Sequence, residues 1–492
     1  MTHIRAVVLS VLLVCSLLGG SVALAAPAVA DERFEIEHTL AQSPERGEVD
    51  VTTRVSIPTG TTSMEIEIPD GTDVYETDGF TQVDENRYEW TRSTQTPSLQ
   101  YTYGVNVTVD RGQGERFLYA DTGEWAIFRT PSASLRYSGV ERDVVRSSTV
   151  EGSGAAGPHI SYLGPHEEVT EEAADQRFRF IIPEEAEMRE TPSDVVETFE
   201  YAAERLDIGP RDPDVFVVVA PTSVEWAATG VQRGDADMWV RDVEALDSAA
   251  NTWVHEYVHT RQEYEWTDET EWTLEGMADY YAALLTYERG DIDFEAFEER
   301  LERGNDPDLD DVVLTQPATW EDNEGDYRKG ALVYGYLDYQ LRAEADASID
   351  DVIAGFEDGE LTHEAFLDAI EDVGGSDIRA DAERYTETTA TPELWSHEEH
   401  AEAFGGEAPE PTPTPTEASM STPDDSETPT DVPATDDPTP TPEPAPTSTP
   451  TSDSTPADDD GTTTPTLGDG SGFGVAPAVV GLFVMVLFLR RR

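Results

Sequence analysis

Apolar and polar positions change rhythm along the chain, and each rhythm predicts a different kind of structure. Between residues 31 and 165 they alternate in short runs broken by Gly, Pro and Asp, at 48–57, 63–68, 87–90, 98–109 and 125–129. Period-two alternation between turn residues reads as strands with one buried face, and a succession of them as a β-sandwich-like domain. The rhythm then lengthens. Residues 177–182 read as a strand, 192–206 as an amphipathic helix with Ser193 near its start, and 214–220 (DVFVVVA) as a strand buried on both faces. Residues 328–342, 349–357, 363–373 and 294–302 carry helical spacing, linked by acidic and Gly-containing turns. The pattern predicts an α+β chain. A β-sandwich-like domain (31–165) is followed by a mixed domain (166–286) and a helical lobe (287–404).

The chemistry lies in residues 249–281. His255-Glu256-Tyr257-Val258-His259 is an HExxH pattern, and residues four apart lie one above the other on a helix face. Both imidazoles can then hold one metal ion while Glu256 reaches the water beside it. Asp247 or Ser248 would cap this helix, and Ala249, Ala250, Trp253, Val254, Tyr257 and Val258 supply its apolar side. Five residues alone fit two ordinary helix histidines as well, so the next segment decides. Behind the acidic turn 268–271, residues 272–281 (WTLEGMADYY) read as a second helix. Catalytic zinc usually takes three protein ligands and keeps one position open. Glu275 is the natural third ligand, and Asp279, one turn later, is placed to accept the outer N–H of a ligand histidine.

In His255, Glu256, His259 and Glu275 the sequence resembles the gluzincin metallopeptidases of the MA clan, which include thermolysin and the M1 and M61 families. Asp279 matches the E-x-x-x-D acid of thermolysin-like members. The resemblance implies a thermolysin-like catalytic domain, Zn2+ as cofactor, a peptide substrate and Glu256 as general base. Fifteen residues separate His259 from Glu275, a shorter interval than those families usually have. Residues 326–333 (DYRKGALV) resemble the Y-x-K-G stretch of M1 and M61 enzymes, which makes Tyr327 the expected oxyanion donor. The only lysine of the chain, Lys329, falls in that stretch. In the gluzincin plan a strand borders the cleft and pairs with substrate; the expectation here is 235–240, with Asp237, Met238 and Trp239 as substrate contacts. The G-x-M-E-N motif of M1 aminopeptidases is missing from it, so aminopeptidase activity is not favoured over endopeptidase activity. Gln262 and Glu265 stand where a metzincin needs Gly and His.

Composition narrows the setting. Asp and Glu number 103 against 31 Lys and Arg, a formal charge of −72, with a pI near 4.1. Such a field repels nucleic acid, so a nucleic-acid partner is excluded. Acid excess with lysine depletion resembles the proteins of halophilic archaea, and folding in high salt is expected. Cys15 is the only cysteine and lies in an N-terminal apolar run, so disulfides and thiolate metal sites are ruled out. Residues 1–30 read as a secretory signal, with cleavage after Ala25 or Ala30. Asn106 opens a glycosylation sequon. His159, His166, His363, His397 and His400 read as solvated surface or loop histidines, and Tyr280, Tyr281, Tyr334 and Tyr336 as core aromatics.

From residue 405 to 470 the chain is a Thr/Pro/Asp-rich stretch that cannot bury a core, expected to be a disordered stalk. Residues 473–489 form an apolar run of 17 ahead of Arg490, Arg491 and Arg492, at the short limit for a transmembrane segment. The 471–492 tail resembles the Pro-Gly-Phe sorting signals of haloarchaeal surface proteins, which an archaeosortase exchanges for a lipid anchor, although Ser471 replaces the Pro. The sequence therefore predicts a cell-surface, membrane-anchored zinc metallopeptidase. A non-catalytic surface or S-layer-associated binding protein is the rival, and hydrolysis of a non-peptide amide or ester a third option.

Overall fold

Two sheets enclose the first apolar core. One runs Val144–Val150, Phe34–Gln42, Glu48–Ser56, Ser98–Gly104, Asp73–Asp78 in spatial order, the other Ser134–Ser138, Ser63–Glu67, Arg87–Trp90, Phe80–Gln82. Inward residues of both, among them Phe34, Val51, Ile66 and Trp90, share one buried cluster. That is why the alternation is so regular: Phe34–Gln42 is buried at every second position along its first half. The computed structural model describes residues 33–405 except 111–113 and 357–358. The expected signal segment, the 471–492 tail and all of the stalk but Gly405 lie outside the described residues. Among the described residues no helix is long and apolar enough to cross a membrane.

A third sheet, ordered Gly154–Ala156, Ile160–Leu163, Ala126–Arg129, Glu115–Asp121, Val107–Asp110, leads into the part that carries the site. The run expected at 98–109 is thus two strands in two sheets. Asn106 sits in the turn between them, exposed, with its side-chain oxygen accepting the Asp121 N–H at 2.6 Å.

The fourth sheet is ordered His166–Ala173, Gln176–Pro183, Asp214–Ala220, Asp237–Arg241, Gly230–Arg233. Its two middle junctions are parallel and its two outer ones antiparallel. From residue 215 to 220 the strand Asp214–Ala220 is apolar because both faces are covered. Val215, Val217 and Val219 meet the helices, while Phe216, Val218 and Ala220 meet the third sheet.

Helix α1 (Pro192–Arg205) is capped by Thr191, one residue ahead of its N1 proline. Helices α2 (Thr252–His259), α3 (Trp272–Arg289), α4 (Phe294–Glu302) and α5 (Gly325–Ala345) then build the helical side, with four further α-helices after them among the described residues. Helix α5 begins three residues before the expected start at 328, which brings Tyr327 into its first turn. Helices α3 and α5 cross where glycine faces glycine. A Cβ on Gly276 would stand 2.8 Å from the Gly330 carbonyl carbon, and one on Gly330 would stand 3.0 Å from the Gly276 Cα. Only backbone fits there, and the residues next to the crossing are Glu275 and Tyr327. Gly276→Ala is expected to cost about 1–3 kcal/mol of stability by overpacking, less the small helix-propensity gain, as read by denaturant unfolding. Unchanged stability would mean that the crossing is loose.

Candidate metal centre

Helix α2 is short and firmly tied at its start. Asn251 caps it, its side-chain oxygen accepting the Val254 N–H at 3.3 Å. The Asn251 amide also donates to the Leu246 carbonyl and to Thr286 of α3, so the cap joins the two ligand-bearing helices. The expected caps are displaced by this fully buried residue. Asp247 pairs with Arg189, and Ser248 accepts from the Ala250 N–H. Trp253, Val254, Tyr257 and Val258 lie in the core, as the apolar side requires.

The structure brings His255, His259 and Glu275 together. The two Nε2 atoms are 3.1 Å apart, and Glu275 Oε2 lies 3.2 Å from one and 3.3 Å from the other. Glu275 Oε2 is buried without a well-formed hydrogen bond. Three electron-rich atoms facing one point, all within 4.8 Å of one another, fit a divalent cation. The electrostatics agree. Burial lowers the His255 pKa, but contacts with Asp279 and Glu275 overcome it and raise it to about 10. Burial raises Glu275, but the charge and contacts of the two imidazoles hold it well below the usual carboxylate range. The cluster demands positive charge, as protons or as a metal.

The outer nitrogens are held too. His255 Nδ1 lies 3.2 Å from Asp279 Oδ1, and Arg300 of α4 donates to the other Asp279 oxygen at 2.5 Å. His259 Nδ1 faces Gln262 Oε1 at 2.8 Å, and the Gln262 amide donates to the Leu274 carbonyl at 2.9 Å. Gln262 and Arg300 went unrecognised in the sequence; the three-residue spacing from His259 was the available signal for the first, and nothing local marks the second. Such partners fix the ring and its tautomer. Asp279→Ala is expected to weaken metal affinity about 10- to 100-fold, measured by Zn2+ titration against a chelator. Equal affinity would show that Asp279 does not orient the ligand.

Glu256 and Tyr327 complete the group. Glu256 is 5% exposed and packs against the strand Gly230–Arg233, where a Cβ on Gly230 would meet Glu256 Oε1 at 2.7 Å. The Tyr327 ring stacks on His255, with centroids 5.8 Å apart and planes 5° from parallel. Burial and the Glu275 charge push its hydroxyl well above 10, so it stays protonated.

The strand at the sheet edge is Gly230–Arg233, not 235–240. Asp237–Arg241 is an interior strand hydrogen-bonded on both sides. Asp237, Met238 and Trp239 are all buried, and Asp237 Oδ2 accepts the His159 and Ile160 N–H groups at 2.6 and 2.8 Å. None of the three presents a surface to substrate. Lys329 serves the scaffold. It is fully buried, and its ammonium donates to the Val312 and Thr388 carbonyls at 2.7 and 2.9 Å.

Two histidines expected at the surface are inside. His400 accepts from Trp395 Nε1 at 3.0 Å within an aromatic cluster that includes Phe294, Phe297 and Phe404. Burial lowers its pKa to about 4. His363 is buried at the start of the helix His363–Gly374, 3.0 Å from Glu387. His397 is half-buried and stacks on Phe294. Tyr280, Tyr281 and Tyr334 are core residues, the first donating to Asp338 and the second to Asp350.

No family model and no curated relative matches the chain. Among solved structures, a mutant M1 zinc metallopeptidase of Deinococcus radiodurans bound to a Tyr-Ser-Ala substrate is 14% identical, with 74% of this chain and 95% of that one covered, at a TM-score of 0.48. The M1 zinc metallopeptidase of the same organism is 15% identical, covering 74% and 94%, at 0.47. An aminopeptidase N family protein of Idiomarina loihiensis is 13% identical, covering 70% and 72%, at 0.46. Scores below 0.5 lend no weight to the reading of the site, which rests on its own geometry.

Proposed function

We propose that this chain is a zinc-dependent peptidase cutting peptide bonds by water attack. The observation that carries the reading is the convergence of His255, His259 and Glu275 on one point, with Glu256 and Tyr327 beside it. Imidazole and carboxylate donors in a three-ligand set with an open side suit catalytic zinc. When bound, Zn2+ supplies Lewis acidity toward the substrate carbonyl and the attacking water. The chain's own residues do the rest. Glu256 takes a proton from the attacking water and passes it to the leaving amine, and the Tyr327 hydroxyl donates to the carbonyl oxygen as charge develops there. Asp279 and Gln262 hold the two imidazoles in the required tautomers.

The outer edge of Gly230–Arg233, with no strand beside it among the described residues, is placed to receive an extended peptide. No carboxylate stands on that strand to hold a substrate α-amine, which favours internal cleavage over removal of the first residue. The signal-like residues 1–30 and the apolar run before the terminal arginines support placement at the cell surface, anchored by the C-terminus. The test is the full chain, folded in molar KCl with zinc and incubated with a mixed peptide library read by mass spectrometry. Internal cuts are the expected result. A folded, zinc-loaded chain that cuts nothing would replace this reading with the surface-binding one.

A further inference from the structure

Alternation along the edge strand puts Arg233 on the sheet face opposite Glu256, the same face as Val231 and its register partner Trp239. That face meets the third sheet, and the third sheet brings a second arginine to it. Arg129 opposes Ile160, the Ile160 N–H donates to Asp237, and Asp237 opposes Arg233. Tyr119 belongs to the same place. It is 1% exposed, and its hydroxyl makes no well-formed hydrogen bond among the described residues. Burial raises the Tyr119 pKa, and the charges of Arg233 and Arg129 and a contact with the Arg233 side chain act against that rise.

Neither arginine has an ion-pair partner among the described residues. Arg233 donates to the carbonyl of its neighbour Gln232 at 2.7 Å, and its charge acts on the Tyr119 hydroxyl and on the Glu256 carboxylate. Its register partner Asp237 is committed to the His159 and Ile160 N–H groups. In a chain with 103 acidic side chains to 31 basic ones, an acidic partner is the easiest thing to supply from within. The exposed Arg129, the half-buried Arg233 and a buried hydroxyl stand on one face, and a guanidinium group can donate two N–H bonds to a carboxylate from outside. The position fits a substrate group. Gly230, against which Glu256 packs, is three residues from Arg233, roughly 10 Å along the strand, which is the reach of about three residues of bound peptide.

We propose that Arg233, with Arg129 and the Tyr119 hydroxyl, forms a subsite for a carboxylate of the peptide substrate close to the scissile bond. The inference rests on the peptidase reading for its substrate class. Two carboxylates meet the chemistry, an Asp or Glu side chain and the substrate's C-terminus.

The test is binding, by fluorescence anisotropy, of three labelled peptides to the full-length protein with and without zinc. One carries an internal Glu and an amidated C-terminus, one has Gln in its place and is amidated, and one has Gln and a free C-terminus. A carboxylate peptide should bind about 10- to 100-fold tighter than the amidated Gln peptide. Whichever of the two binds tighter names the source. Arg233→Ala should remove the difference, and Arg233→Glu should turn preference toward a Lys-containing peptide, a reversal that a merely structural arginine would not give. Equal binding of all three peptides, or a preference that survives both Arg233→Ala and Arg129→Ala, would overturn the proposal. A carboxylate preference in a chain that cuts no peptide would leave the subsite standing and remove the peptidase reading instead.

Discussion

Glu256→Gln is expected to lower kcat by about 10²- to 10⁴-fold, with zinc content and thermal midpoint held. Glutamine keeps the shape that fits against Gly230, so the packing at the edge strand survives. It also leaves His255, His259 and Glu275 untouched, so the donors for the metal remain. What it removes is the carboxylate proposed to accept a proton from the attacking water. Burial raises the Glu256 carboxyl above its ordinary value, against the charges of His255 and His259. A carboxylate raised in this way is a stronger base than one in water. Steady-state kinetics on a peptide cut by the wild type, with metal analysis of both proteins, would decide. A zinc-loaded variant with wild-type kcat would remove Glu256 from the chemistry.

Tyr327→Phe should cost about 10²- to 10³-fold in kcat and little in KM. The two rings are nearly isosteric, so the stack on His255 and the first turn of α5 stay in place. The hydroxyl alone is lost. Because burial and the Glu275 charge keep that hydroxyl protonated, it can donate across the working pH range, and the loss should not depend on pH. A kcat within twofold of wild type would reduce Tyr327 to a packing residue.

Local spacing made much of this site legible. A helix places His255 and His259 on one face whatever surrounds it, and Glu275 with Asp279 repeats the same turn on the next helix. What escaped was set by distant contacts. The edge of the fourth sheet was misplaced because 235–240 is more apolar than Gly230–Arg233, and apolar pattern reports burial rather than position in a sheet. The true edge, Gly-Val-Gln-Arg, carries one apolar side chain and ends in two half-buried polar ones, so its pattern looks less like a strand than 235–240 does. His400 sits between acidic neighbours, which suggested a surface, yet its own side of the helix His397–Phe404 turns inward to Trp395. Asn251 was overlooked as a cap because its second role, bridging to Thr286, depends on a helix thirty-five residues away. Lys329 lay in a stretch with a catalytic resemblance, and its isolation looked like a sign of chemistry. Its partners, Val312 and Thr388, are far along the chain and turn it into a clamp.

That clamp has a practical corollary. Lys329 carries the only ε-amine in the sequence, and the fold conceals it completely. Reagents that acylate or crosslink amines therefore meet a nearly silent surface, with the chain's own amino terminus as the principal target. Acylation of Lys329 becomes a reporter of a single event, the parting of α5 from the Val312 and Thr388 segments, and its rate measures how often the scaffold around Tyr327 opens.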